Sequence, residues 1–258
     1  MPNCFRFLWL VCGLILGVLP LAGCGHKPVQ PSLQVEAPPP PPVSPQATRP
    51  QATNSQATST VASSIADLDS QRLKNVAPIF IEEGLASWYG PPYHNRRGAN
   101  GRVYDMNAAT AAHRTLPMNS LVRVINLATG KSVIVRITDR GPFIVGRVID
   151  LSLAAAKTID VWGPGVTQVR LEVLEAPAPI DRGGRWCVQI GAFTSVKDAD
   201  RLKQKLAHRY RTAQVLEFAG PTGEWIRVRV LNDEKSRAEA LLRDTHAGQG
   251  AAFLVRLD

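Results

Sequence analysis

The stretch Ser132 to Phe143, SVIVRITDRGPF, constrains the fold more tightly than any other part of the sequence. Val133, Val135 and Ile137 alternate with Ile134, Arg136 and Thr138, and a period of two among β-branched residues specifies a strand. Asp139-Arg140-Gly141-Pro142 ends it. Asp and Gly suit a turn and Pro142 has no N–H for a continuing ladder, so Asp139 stands at the mouth of a strand. A carboxylate there either caps the turn or is presented to a ligand.

The neighbouring segments read in the same way. Gly84 to Gly90 is a strand that breaks at Gly-Pro-Pro, Leu121 to Asn126 alternates, Leu151 to Thr158 reads as a short helix, and Val166 to Leu174 closes with Val169, Leu171 and Val173 on one face. Short strands with Gly and Pro punctuation between residues 79 and 175 predict a compact, mainly β barrel. Asp150 stands before the apolar helix and reads as its cap, and Trp88 reads as core.

After a linker at 176–184, residues 185–258 change pattern. Strands are predicted at Trp186 to Phe193, Ala213 to Phe218, Glu224 to Val230 and Ala251 to Leu257, with helices at Ser195 to His208 and Ser236 to Arg243. Ser195 and Asp198 have capping-box spacing. The order is βαββαβ, an α+β, ferredoxin-like arrangement. Alternation turns Val188, Ile190, Ile226, Val228 and Val230 towards the helices, leaving Gln189, Trp225, Arg227 and Arg229 on an open face. A Trp among planar donors suits sugar, and Cys187 shares that parity and is expected to be accessible.

The N-terminal part sets the compartment. Arg6, an apolar run from Leu8 to Leu21 broken by Gly13, Gly17 and Pro20, and then Leu21-Ala22-Gly23-Cys24 read as a secretory signal over 1–23. Leu-Ala-Gly-Cys resembles the lipobox of bacterial lipoproteins, which implies lipidation of Cys24; Gly25 rather than Asp implies the periplasmic face of the outer membrane. Residues 24–78, rich in Pro, Gln, Ala and Thr, predict a disordered tether, of which about 50 residues at ~3.1 Å each reach up to about 150 Å. A net charge of +9 favours an anionic partner, and this address excludes nucleic acid in favour of cell-wall peptidoglycan. With Cys4 and Cys12 in the signal and Cys24 lipidated, Cys187 is left as a lone thiol and no internal disulfide is expected.

Gly84-Leu-Ala-Ser-Trp-Tyr-Gly, Ala99-Asn-Gly, Tyr104-Asp-Met-Asn-Ala, Thr110-Ala-Ala-His-Arg-Thr-Leu-Pro, and Asp139-Arg-Gly-Pro-Phe with Asp150-Leu-Ser together resemble the rare lipoprotein A family. The resemblance implies a double-psi β-barrel, as in expansins and some lytic transglycosylases. It also implies cleavage of the β-1,4 bond after N-acetylmuramic acid to a 1,6-anhydro sugar; no metal and no cofactor are expected. Asp139 falls on the family's catalytic Asp and His113 on its functional His, which either touches sugar, orients the carboxylate or serves as a structural hydrogen-bond donor. Arg136 and Arg140 oppose the raised pKa that an acid needs. The family commonly carries Glu where Arg102 stands. Arg102, Tyr89 and Tyr93 are candidates for contacting glycan, while Asp105 reads as structural.

Val188-Gln-Ile-Gly-Ala-Phe193 and the paired helices resemble a sporulation-related repeat (SPOR) domain, although Leu231-Asn232-Asp233 stands where Gly-Pro-Phe is usual. That resemblance implies binding of glycan stripped of peptides at division septa, where divisome proteins would be neighbours. Two functions follow: a septal lytic transglycosylase, or an expansin-like barrel that binds the wall without cutting it.

Overall fold

In the computed structural model of this chain, residues 68–69, 71–220, 223–245 and 251–258 are described. The signal segment, Cys24 and the tether as far as residue 67 lie outside them.

Six strands close a barrel: β1 (Phe80–Tyr89), β2 (Thr110–His113), β3 (Leu121–Asn126), β4 (Ser132–Asp139), β5 (Arg147–Ser152) and β6 (Thr167–Glu175), in spatial order β1-β5-β2-β4-β3-β6. β1 runs parallel to β5 and β2 parallel to β4, whereas the other pairs are antiparallel. Val122, Val124, Val135, Ile137, Val169, Leu171 and Val173, every second residue of β3, β4 and β6, fill the interior. At about 1.5–3 kcal/mol for each fully buried aliphatic side chain, this interior is the main source of the barrel's stability.

The structure differs from the sequence reading in two elements. β2 was not expected, because TAAH carries no alternation; its neighbours β4 and β5 hold it. β5 occupies the start of the expected helix, because all six of its residues are buried and the period-2 signal is erased. The helix α1 (Leu153–Thr158) is capped by Ser152, whose side chain accepts from the Ala155 N–H. Asp150 is therefore a buried strand residue and not the cap.

The second module has strands β7 (Trp186–Phe193), β8 (Gln214–Gly220), β9 (Gly223–Arg229) and β10 (Ala251–Arg256), with helices α2 (Val196–Arg209) and α3 (Lys235–Asp244). The sheet order is β10-β7-β9-β8, antiparallel throughout. Ser195 caps α2 by accepting from the Asp198 N–H, as the capping-box spacing predicts. Val188, Ile190, Ile226 and Val228 pack against Ala199, Leu206, Ala238 and Leu241 of the helices.

Parity on the other face is as read, but exposure is not. Trp225 is only 1% exposed, and Cys187 and Gln189 are fully buried. Barrel and module belong to one compact unit, and the loop that follows Asp139 covers this face. The Phe143 ring lies 5.6 Å from that of Trp225 and 5.8 Å from that of Phe253, and the Arg114 guanidinium lies 5.5 Å over Phe253. Across the same interface the Arg256 N–H donates to the Arg114 carbonyl (3.0 Å), and Arg140 donates to the main-chain oxygen of Asp258 (2.6 Å). Alternation shows which side chains share a face. It does not show that another part of the chain will lie on it.

Candidate active site

Asp139 ends β4, and the segment 95–104 folds over it. That segment is a small hairpin: the Tyr104 N–H donates to the Arg96 carbonyl (2.7 Å) and the Gly98 N–H to the Arg102 carbonyl (2.9 Å). The hairpin places the Ala99 N–H on Asp139 Oδ1 at 2.8 Å, and the Arg140 N–H donates to the same oxygen at 2.8 Å. Oδ2 lies beside Gly98, where a Cβ would come within 3.3 Å of it, so glycine permits the close approach. Gly98, Asn100, Arg102, Tyr104, Asp105, Thr138 and Asp139 line a cleft of about 300 Å³, with Asp69 and Arg136.

Asp139 is 4% exposed. Burial pushes its carboxyl up to about 6, against the Ala99 and Arg140 N–H groups and the Arg140 charge, which favour the ionised form. The cations that the sequence sets against a protonated Asp139 are engaged elsewhere. Arg136 is paired with Asp69, and the buried Arg140 guanidinium donates to the carbonyls of His113 and Leu116 and to the Asp258 oxygen. A carboxyl that gains and loses a proton near pH 6 beside a cleft can act as an acid and then as a base.

His113 does not join Asp139 by its side chain. It is buried, with Nδ1 accepting from the N–H groups of Thr115 (3.2 Å) and Leu116 (3.0 Å) and Nε2 lying 3.1 Å from Glu82 Oε2. Two N–H donors at Nδ1 fix the tautomer with its proton on Nε2, so Nε2–H donates to Glu82. Burial holds its pKa below the ordinary value in spite of Glu82. Its link to Asp139 is through the backbone, since its carbonyl holds Arg140.

Tyr89 and Tyr93 are buried rather than turned to a groove. Tyr89 stacks on Tyr104 (centroids 4.3 Å) and meets Tyr93 edge-on (5.9 Å), and Tyr104 donates to the Tyr89 carbonyl (2.8 Å). This cluster supports the hairpin from below. Arg102 is exposed and lines the cleft. Asp150, read as a cap, accepts from the Ser87 hydroxyl (2.6 Å) and lies 3.5 Å from Arg147, with its pKa raised by burial. Tyr104 also lines the cleft, a role that its motif position alone did not suggest.

In the second module Arg227 donates to Gln189 (2.9 Å) and lies over Phe218 (5.4 Å), whereas Arg229 is turned onto Asp233 by two hydrogen bonds (3.0 and 2.6 Å). Gln189 Nε2, Trp225 Nε1 and Arg227 Nε are buried with no hydrogen-bond partner among the described residues. Each such donor costs about 1–3 kcal/mol relative to a paired one. Among the described residues no group of three or more His, Cys, Asp or Glu is placed to hold a metal ion.

Residues 81–171 match the family described as lytic transglycolase, and residues 183–256 match the SPOR domain. Three relatives named endolytic peptidoglycan transglycosylase RlpA are similar to this chain. The Campylobacter jejuni protein is 41% identical over 50% of this chain and 54% of its own length. The Helicobacter pylori protein is 41% identical over 48% of each. The Vibrio cholerae protein is 40% identical over 69% of this chain and 70% of its own length. The chain thus spans about half the length of the first two relatives.

Proposed function

We propose, from the premise that this chain belongs to the rare lipoprotein A (RlpA) family with a SPOR domain after its barrel, that it is an endolytic peptidoglycan lytic transglycosylase. Asp139 protonates the glycosidic oxygen between N-acetylmuramic acid and N-acetylglucosamine as that bond breaks. It then takes the proton from the muramyl 6-hydroxyl as O6 closes on C1. The carboxyl ends as it began and no water enters, so the second carboxylate of a hydrolase is not required. The observation that carries this reading is the buried Asp139, with a pKa of about 6 and Oδ1 held by two N–H groups, beside an open cleft.

The SPOR domain would bring the barrel to denuded glycan at septa, near divisome components, with Cys24 as the outer-membrane anchor. The net charge of +9 supports an acidic wall polymer as the partner. One observation favours a second, expansin-like reading: Arg102 lines the cleft where the family commonly carries Glu. The chain without its signal, incubated with intact and amidase-stripped sacculi, separates the two. Release of 1,6-anhydro fragments, read by mass spectrometry, is expected from stripped sacculi; glycan that is bound and never cut would establish the second reading.

A pH series adds a check. The acid must be protonated in the free enzyme, so kcat/KM is expected to fall about tenfold per pH unit above about pH 6. A profile that is flat from pH 5 to 8 would remove Asp139 from the acid role.

A further inference from the structure

The sheet face proposed to bind glycan is the face that the barrel occupies. Cys187, Trp225, Phe253 and Val255 form one apolar cluster with Phe143, a residue of the loop that starts at Asp139. The cover is polar as well: the Arg256 N–H reaches the Arg114 carbonyl, and the Met118 N–H reaches the Asp258 oxygen (3.3 Å). The fit is good for the rings and poor for the donors. Gln189, Trp225 and Arg227, which share this face, each keep a buried N–H unpaired. Those groups match a ligand that the loop does not resemble, one with a flat apolar ring face to lie on Trp225 and hydroxyls to accept from the three donors.

We propose that the Asp139–Phe143 loop and a peptide-free glycan strand compete for this one face, so that the module is masked while it is docked and glycan binding releases it from the barrel. This rests on the reading of the module as a glycan binder. The masked state lowers the apparent affinity by the fraction of molecules that are undocked. Of that loop only Asp139 lines the cleft, which stays open in the docked form. Docking therefore withholds the targeting surface and leaves the cutting surface free. Removing the ring of Phe143 weakens the loop's hold without touching the sheet.

The test uses the chain without its signal, with Cys24→Ser so that Cys187 is the lone thiol, and with Asp139→Asn so that bound glycan stays uncut. Denuded glycan oligomers are titrated into this protein and into its Phe143→Ser derivative. Hydrogen exchange is followed at Met118, a barrel amide whose acceptor lies across the interface. Saturating glycan is expected to speed Met118 exchange at least tenfold. Phe143→Ser is expected to speed maleimide labelling of Cys187 without glycan and to tighten glycan binding at least tenfold. Glycan that binds with Met118 exchange unchanged, and with equal affinity in both proteins, overturns the competition and leaves the glycan-binding reading standing. Glycan that binds neither protein overturns both. If Phe143→Ser does not fold, the exchange result on the parent protein decides alone.

Discussion

Asp139→Asn is expected to stop release of anhydro-sugar products, with kcat lowered at least ~10³-fold, and also to raise the melting temperature at pH 8. The first effect follows from removing the group that carries the proton in both halves of the reaction. The second follows from linkage. A carboxyl whose folded pKa is raised favours the folded state in its protonated form, a contribution fully present below the unfolded pKa of 3.8 and lost as pH rises through about 6. At pH 8 the wild type therefore holds a buried carboxylate whose displaced pKa corresponds to about 3 kcal/mol of lost stability. Asn cannot ionise, and its side-chain oxygen still accepts from the Ala99 and Arg140 N–H groups that Oδ1 engages. The stability difference should be largest at pH 8 and vanish below about pH 4. Thermal melts at the two pH values, with product analysis, check both parts. If Asp139 were only a turn cap, the variant would melt at the same or a lower temperature and still cut glycan.

The position of Asp139 was legible in the sequence because alternation in β4 stops at a Gly-Pro turn. Its pKa was not, because burial raises it, and the segment that folds over it, with the Ala99 N–H on Oδ1, lies 40 residues away. The nearby arginines argued for an ionised carboxylate on sequence distance alone. Their partners are Asp69, in the segment before β1, for Arg136, and, for Arg140, three carbonyl-type oxygens brought up by the closure of the barrel and by the docked module. β3, β4 and β6 could be read from their own residues because one face of each is buried. β2 and β5 could not: the first has four residues and no alternation, and the second is buried on both faces. The same distinction separates the two faces of the second module. The helix-facing one is built from local pairs, whereas the fate of the other depends on Phe143, far away in sequence. Tyr89 and Tyr93 show the limit of composition: aromatic residues beside Gly and Pro suggested a sugar platform, yet Tyr89 stacks on Tyr104, Tyr93 meets Tyr89 edge-on, and the cluster becomes the hairpin's support.

His113→Ala is expected to destabilise the barrel by about 3–5 kcal/mol. The imidazole is 2% exposed, accepts two backbone N–H groups at Nδ1 and donates to Glu82 at Nε2. Alanine leaves both N–H groups without an acceptor, leaves Glu82 without its partner and opens a cavity. The pH dependence has a definite sign. Because burial lowers the folded pKa, the contribution of His113 is complete above the unfolded value of about 6.5 and is lost as pH falls through the folded pKa; the variant should lack that acid-side loss. Catalysis is affected at one remove. The carbonyls of His113 and Leu116 hold the Arg140 guanidinium, and the Arg140 N–H holds Asp139 Oδ1, so a loosened 113–116 turn moves the carboxyl. His113 is in this account a positioning residue, and His113→Ala is expected to lower kcat about tenfold per folded molecule with KM unchanged, on the scale of a displaced catalytic group. His113→Asn separates this from direct contact with sugar. Its side-chain oxygen reaches the place of Nδ1 and can accept the two N–H groups, but it cannot reach Glu82. It should regain most of the stability and nearly all of kcat. A folded His113→Asn protein that stays inactive would show that the imidazole itself meets the substrate, which would require the Glu82 contact to open on binding.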